Sequence, residues 1–268
     1  MATPTPDLTR IRTLSFDCYG TLIDWESGLT SDLSPLLTRL PPSHPFNSLP
    51  ASNPLLPVQH FNTHSEHLWA TQPTLSYDAN LRESLRALAA DEGVTLPEGE
   101  LEAIGDGPGR WPAFADTVDA LRRLRRFYKI AILSNVNEAN IARAVSGQLG
   151  GAVDAVYTAE AIGSYKPDHA NFRYLFGKVK EEFGTDVDKG ELLHVARSLT
   201  VDHVPAKELG LRSVWIARGG DKPEGYGTGG DLEVLTAEGK LGFEGVFQTL
   251  GEFAEEVERQ FAEREKGK

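Results

Sequence analysis

The sequence predicts an α/β protein: a parallel sheet with helices on both faces, interrupted near its start by a helical insertion. Three observations carry this. Short apolar runs alternate with amphipathic stretches of helical period over the second half of the chain. Residues 25–110 show helical patterns and no convincing strand. Several apolar runs stop abruptly on polar residues, as expected where strands of an open α/β sheet deliver functional groups to their carboxyl edge.

In chain order, a polar segment, MATPTPD, precedes a first strand at about 12–18. SDLSPLLTRL reads as a helix, and a Pro-rich loop at 41–57 follows it. VQHFNTHSEHLWA and NLRESLRALAADEG read as further helices. FADTVDALRRLRRFY then reads as a helix and KIAILSN (129–135) as a strand. EANIARAVSGQL is helical, DAVYTAEAIG contains a short strand, and HANFRYLFGKVKEEFG is a helix. LLHVA (192–196) and SVWIA (213–217) are strands around a short helix, VPAKELG. Residues 245 to about 265 fit one closing amphipathic helix.

The chain has 268 residues, one cysteine and a net charge of −12. One cysteine excludes an intramolecular disulfide framework and a Cys-rich metal site. There is no apolar leader at the start and no run of the ~18 apolar residues that a spanning helix needs, so a cytoplasmic protein without a membrane partner is expected. The acidic balance argues against a nucleic-acid partner. The basic cluster LRRLRRFYK (121–129) lies on an amphipathic helical pattern and reads as a solvated face.

Three segments place polar groups at the same sheet edge: Asp17 after the first strand, Ser134–Asn135 after the second, and Arg197–Ser198 after LLHVA. Asp17 is followed by Gly20, which permits a sharp turn, and by Thr21, whose hydroxyl can bond a carboxylate. Each residue alone has a plainer reading. Asp17 can be a turn acid, Ser134–Asn135 a helix cap, Lys166 in GSYKPD a surface lysine, and Asp202 in SLTVDH a helix-start acid.

Taken together, FDCYGT, LSN, YKPD and HVARSLTVDHVPAKELGL resemble, in order and spacing, the four motifs of the haloacid dehalogenase superfamily. The resemblance spans nearly the whole chain. It implies a Rossmann-like core at 1–24 and 111–268, with an inserted helical cap domain at 25–110. Fold does not settle function within such a superfamily, so the departures matter. Phosphatases of the superfamily carry a second acid two residues after the nucleophile, where this chain has Tyr19. They hold Mg²⁺ with an acid of the fourth motif, where this chain has Arg197. A phosphate monoester brings about two negative charges to the nucleophile, which Mg²⁺ normally offsets. With a guanidinium in place of the acid, neither metal nor other cofactor is expected.

Both departures are similar to the L-2-haloacid dehalogenase, or type II, branch. The resemblance implies a metal-independent hydrolase acting on a short 2-haloalkanoic acid through an aspartyl ester. Asp17 would be the nucleophile, Asp202 the group that activates water, Lys166 the cation between the carboxylates, and Thr21 the residue that positions Asp17. Ser134 and the backbone amides of Cys18 and Tyr19 would bind the substrate carboxylate, and Asn135 would help receive the halide. A homodimer is the assembly the branch implies. Two other readings stand beside this one: a superfamily hydrolase with another substrate, such as a phosphoester, and a catalytically silent member.

The chain also departs from the dehalogenase branch. No arginine stands at the position of the branch's cap arginine, and Arg39 is the nearest. The branch's tyrosine six residues after the motif-three lysine is Phe172, and the fourth-motif asparagine is Leu199. Arg197 could supply part of the missing arginine's service to an anion, or could pair with Asp17 or Asp202 and block the site. His60, His64 and His67 fall at helical spacing and read as helix-face histidines rather than metal ligands. Cys18 should alternate away from Asp17, and Trp25 and Trp111 flank the insertion.

Overall fold

The structure, a computed structural model, describes residues 6–50, 53–220 and 229–267. The first five residues of the N-terminal polar segment and residues 51–52 of the Pro-rich loop lie outside the described residues. The chain divides into two compact units. One comprises residues 1–23, 113–135 and 149–268, and the other residues 24–112 and 136–148.

The first unit is built on a six-stranded sheet. Its strands are β1 (Thr13–Phe16), β2 (Lys129–Ser134), β3 (Ala155–Thr158), β4 (Leu192–Ala196), β5 (Ser213–Ile216) and β6 (Val246–Phe247). The order is β3-β2-β1-β4-β5-β6, and every pairing is parallel. Strands covered on both faces read as apolar runs, and Leu14, Phe16, Ile130, Ile132, Leu193, Val195, Val214 and Ile216 are all fully buried. Two polar residues interrupt these runs at facing positions of the register, Ser15 on β1 and His194 on β4.

Helices follow from amphipathic patterns with definite ends. His169–Phe183 starts at Asp168, whose side chain accepts from Ala170 N–H, and stops at Gly184 with φ 66°. Its buried Phe172, Leu175 and Val179 pack on Ala131, Leu133 and Leu192 of the sheet. Each such side chain contributes about 1.5–3 kcal/mol by burial, so Leu175→Ala should cost roughly 2–5 kcal/mol. Thr117–Leu124 buries Ala120, Leu121 and Leu124. Arg123 and Arg126, from the basic cluster, pair with Glu258, while Arg125 and Lys129 pair with Asp154.

The C-terminal helix begins at Leu250 rather than at 245, with Thr249 as its cap, and extends to Lys266. Residues 246–247 instead form β6, pairing with Trp215 and Ile216. A two-residue edge pairing is too short to leave a periodic signature in sequence.

The second unit is helical: Trp25–Asp32, Ser34–Leu37, Leu56–Thr71, Tyr77–Asp91, Glu98–Gly105 and Glu138–Ser146. The Trp111 ring lies against Gly28 so closely that a Cβ there would fall 2.3 Å from the ring. Trp111 Nε1 donates to Asp32 Oδ2 at 2.8 Å. The last helix, which strand–helix alternation groups with the sheet, joins this unit through Asn140. Its amide donates to the Gly105 carbonyl at 2.9 Å and accepts from Gly109 N–H at 3.2 Å. Among the described residues no helix is long and apolar enough to cross a membrane.

Candidate active site

Every residue of the candidate site belongs to the sheet unit. Asp17 follows β1 directly, and its N–H still donates to the Val195 carbonyl at 3.1 Å. Strand alternation therefore sets Asp17 on the same side as Ser15, two residues earlier. Beyond it the chain turns back. Gly20 takes φ 97°, a conformation that favours glycine, and the Cys18 carbonyl accepts from Leu22 and Ile23 N–H. This turn returns Thr21 to Asp17, where its hydroxyl donates to Asp17 Oδ2 at 2.9 Å.

Two arginines secure Thr21. Arg197 N–H donates to its hydroxyl oxygen at 2.9 Å, and Arg218 Nη2 donates to its carbonyl at 2.9 Å. Arg218 also pairs with Asp116 at 2.7 Å and lies 4.1 Å from the Phe114 ring centroid. It is a non-glycine residue at positive φ, 52°, a conformation that costs energy and clusters near functional sites.

Lys166 enters from the loop before the helix at His169. Its backbone is held by the Asn135 side chain, and its Nζ lies 2.9 Å from Asp17 Oδ1 and 2.7 Å from Asp202 Oδ1. Asp202 sits in a π-helical turn, Leu199–His203, directly after β4. Such turns occur often at functional sites. Its Oδ1 also accepts from His194 Nε2 at 3.0 Å, and His194 Nδ1 meets Ser15 Oγ at 2.9 Å.

The electrostatics follow from burial and a single shared cation. Burial pushes Asp17 above the ordinary aspartate range, opposed by Lys166 and reinforced by Asp202. Burial also acts on Asp202, yet Lys166 and the His194 hydrogen bond outweigh it and hold this carboxyl below its usual value. Burial alone would depress Lys166, but its two carboxylate partners raise it above the ordinary lysine range. Burial, with Asp17 beside it, lifts the Cys18 thiol well above its usual value, which keeps it protonated and a poor nucleophile.

The structure thus brings Asp17, Thr21, Lys166 and Asp202 into one hydrogen-bonded cluster. Ser134 is buried at the end of β2, opposite Thr158 in register. Arg197 is buried at the end of β4, where its carbonyl accepts from Trp215 Nε1 at 2.8 Å. Cys18 is fully buried and Tyr19 half-buried in the turn. Leu199 packs into an apolar cluster with Trp215, Ala217 and Leu235. In the helical unit, Arg39 pairs with Glu100 at 3.0 Å, His64 with Asp91 at 3.0 Å, and His60 packs edge-on against Phe46. Sequence reasoning passed over Ser15, His194 and Arg218. Polar residues inside otherwise apolar strands were the available signal for the first two.

Among the described residues no group of three or more His, Cys, Asp or Glu is arranged to hold a metal. Mg²⁺ is commonly held by one or two carboxylates and water, and here it would meet Asp17 and Asp202 beside a cation. The Lys166 ammonium already lies within 3 Å of both buried carboxylates. Tyr19 and Arg197 supply no acid at their positions.

The cluster thus lies at the carboxyl edge of a parallel α/β sheet. The chain belongs to the haloacid dehalogenase-like hydrolases, whose family model matches residues 11–195. Among solved structures it is similar to the L-2-haloacid dehalogenase PA0810, at 25% identity and a TM-score of 0.67, covering 93% of this chain and 99% of that one. The L-2-haloacid dehalogenase of Xanthobacter autotrophicus, with chloropropionic acid covalently bound, is 20% identical with a TM-score of 0.67, covering 92% of this chain and 98% of the other. The putative HAD-hydrolase YfnB of Bacillus subtilis, bound to magnesium, is 18% identical with a TM-score of 0.66, covering 93% and 99%. No curated protein matches the chain.

Proposed function

We propose that the protein hydrolyses the carbon–halogen bond of a short 2-haloalkanoic acid, without metal, through an ester on Asp17. One observation carries this reading: a single buried ammonium, Lys166, bridges Asp17 and Asp202 at 2.9 and 2.7 Å. The bridge compensates part of the charge of two carboxylates without a divalent cation. A 2-haloalkanoate brings one negative charge and a leaving group that departs without a proton, so the acid lacking at Tyr19 is not needed. The likeness to two L-2-haloacid dehalogenases, one of them with a covalently bound chloropropionic acid, supports the same choice.

In the first step an Asp17 oxygen attacks C2 of the substrate in line. The carbon–halogen bond breaks with its electron pair, and halide leaves. Thr21 and Lys166 hold the two Asp17 oxygens, so the attacking carboxylate keeps a fixed orientation. In the second step Asp202 takes a proton from water, and the resulting hydroxide adds to the ester carbonyl carbon. That carbon then releases the substrate oxygen, which receives the proton from Asp202 as the hydroxyl of a 2-hydroxy acid with inverted C2, and Asp17 loses the remaining hydroxyl proton to solvent and returns as a carboxylate. Asn135 fixes Lys166 through its backbone, and the remaining Nδ2 hydrogen is the one that could meet the halide. Arg197, Ser134 and the Cys18 and Tyr19 amides are assigned to the substrate carboxylate.

Halide release from L-2-chloropropionate and haloacetates tests this. Release that persists in EDTA and vanishes in Asp17→Asn is expected. Absence of halide, with Mg²⁺-dependent phosphate release from phosphoesters, would overturn it in favour of a phosphatase. Neither release, with no adduct on Asp17, would indicate a catalytically silent protein.

A further inference from the structure

Ser15 and His194 stand opposite one another on adjacent parallel strands in the middle of the sheet, and both are fully buried. Such positions are normally apolar, and a polar group there is costly unless hydrogen-bonded. Here the two form a line that ends at the site: Ser15 Oγ to His194 Nδ1 at 2.9 Å, then His194 Nε2 to Asp202 Oδ1 at 3.0 Å. The Phe172 ring meets the His194 ring edge-on at 5.7 Å, so an apolar side chain covers the imidazole. Phe172 is also where the dehalogenase branch carries a tyrosine, so this chain has an apolar ring and a buried imidazole side by side.

Hydrogen-bonding capacity fixes the direction. A carboxylate oxygen only accepts, so His194 Nε2 carries the hydrogen towards Asp202. The Ser15 hydroxyl can donate or accept, so it satisfies Nδ1 in either state of the ring. Asp202 Oδ1 therefore receives two donors, Lys166 and His194, whereas Oδ2 is buried with no hydrogen-bond partner among the described residues. The carboxylate is anchored by one oxygen, and the lone pairs of the other are not committed to a donor among the described residues.

We infer that His194, oriented by Ser15, is a positioning residue that anchors Asp202 so that its Oδ2 serves as the base in hydrolysis of the Asp17 ester. The inference rests on the aspartyl-ester reading and deepens it. His194 does not touch the substrate carbon in this scheme, so ester formation does not depend on it and ester hydrolysis does. The hydrogen bond from His194 is also one of the interactions that keep Asp202 ionised.

The two half-reactions separate in a burst experiment with a haloacetate, followed by intact-protein mass spectrometry. His194→Leu should leave the first-turnover halide burst within about threefold and slow steady-state turnover roughly 10–100-fold, with esterified protein accumulating. His194→Gln, whose amide can imitate Nε2–H, should recover much of that loss, and Ser15→Ala should show a milder form of the same pattern. If burst and turnover fell together, or no ester accumulated, His194 would be a structural residue and the inference would be overturned. Wild-type protein that forms neither halide nor ester would instead overturn the aspartyl-ester reading. In that event, and if His194→Leu does not fold, ¹⁵N spectra of the wild-type imidazoles still test the geometry. A hydrogen on His194 Nε2 is expected, with a Nδ1 signal that changes in Ser15→Ala. A ring protonated on Nδ1 alone would contradict it.

Discussion

Asn135 grips Lys166 by both of its backbone groups: its Oδ1 accepts from Lys166 N–H at 2.7 Å and its Nδ2 donates to the Lys166 carbonyl at 2.8 Å. One side chain at the end of β2 thereby sets where the ammonium of a loop lysine can lie. Asn135→Ala should release that loop and move Nζ off its two carboxylates. Misplacement by about 1 Å can cost on the order of 10²-fold in rate, so kcat for a 2-haloacid should fall by that order, with a smaller change in KM. Steady-state kinetics test this, and an unchanged kcat would mean that Lys166 is held by other means.

Lys166→Met should destabilise the protein in a pH-dependent way. Breaking a buried ion pair from one side costs roughly 3–5 kcal/mol. Without the ammonium, the two buried carboxylates of Asp17 and Asp202 must bind a proton more readily in the folded state than when unfolded. A folded pKa above the unfolded one gives stability that is present at low pH and lost as pH rises through the folded value. The deficit relative to wild type should therefore shrink as pH is lowered from 7 towards 5, as read by thermal unfolding.

His203 sets an opposite slope in the wild-type protein. Its ring is fully buried between Ser213 Oγ and the Ala196 carbonyl, at 3.1 and 3.0 Å. Burial pulls it down to about 4, against an unfolded value of about 6.5. Between these values the unfolded chain binds the extra proton, so stability falls as pH drops from about 6.5 to about 4 and levels off below. The contribution is about 3 kcal/mol. His203→Leu should remove this part of the slope in denaturant titrations, while lowering stability at neutral pH because Ala196 loses a partner.

Asp17 predicts the acid side of the rate profile. Its carboxyl is raised by burial above the ordinary value, and only the ionised form attacks carbon. Activity should therefore fade at a pH above the ~3.9 of an unperturbed aspartate as acid is added. A profile of kcat/KM with a haloacetate shows this, and an acid limb at or below the ordinary value would mean that Lys166 dominates burial.

Arg197→Ala tests whether the guanidinium serves the substrate. Losing one charge-assisted hydrogen bond of about 1.5–3 kcal/mol should raise KM for a 2-haloacid roughly 10–100-fold. Higher turnover in this variant would mean that Arg197 obstructs the site instead.

The sheet was legible because its strands are apolar runs that stop on polar residues such as Asp17, Asn135, Arg197 and Arg218, and β1, β2, β4 and β5 lie within two residues of the runs that predict them. β6 was not, since two residues at a sheet edge carry no periodicity. The cluster of Asp17, Thr21, Lys166 and Asp202 was legible through motif order. Its polar support was less so, for different reasons. Ser15 and His194 are read as strand residues unless register is known, because their pairing across β1 and β4 is a property of the sheet. Arg218 reaches Thr21 only through a positive-φ backbone that sequence does not announce. The helix Glu138–Ser146 follows the strand–helix alternation, yet Asn140 ties it to Gly105 and Gly109, more than 30 residues away along the chain.

The most direct measurement is a single turnover of L-2-chloropropionate in H₂¹⁸O with protein in excess, followed by mass analysis of product and of the peptide containing Asp17. The account predicts a 2-hydroxy acid without label and one ¹⁸O in Asp17, because water attacks the ester carbonyl and the product oxygen comes from the carboxylate. Label in the product and none in Asp17 would mean that water attacks the substrate carbon directly, and would contradict the aspartyl ester.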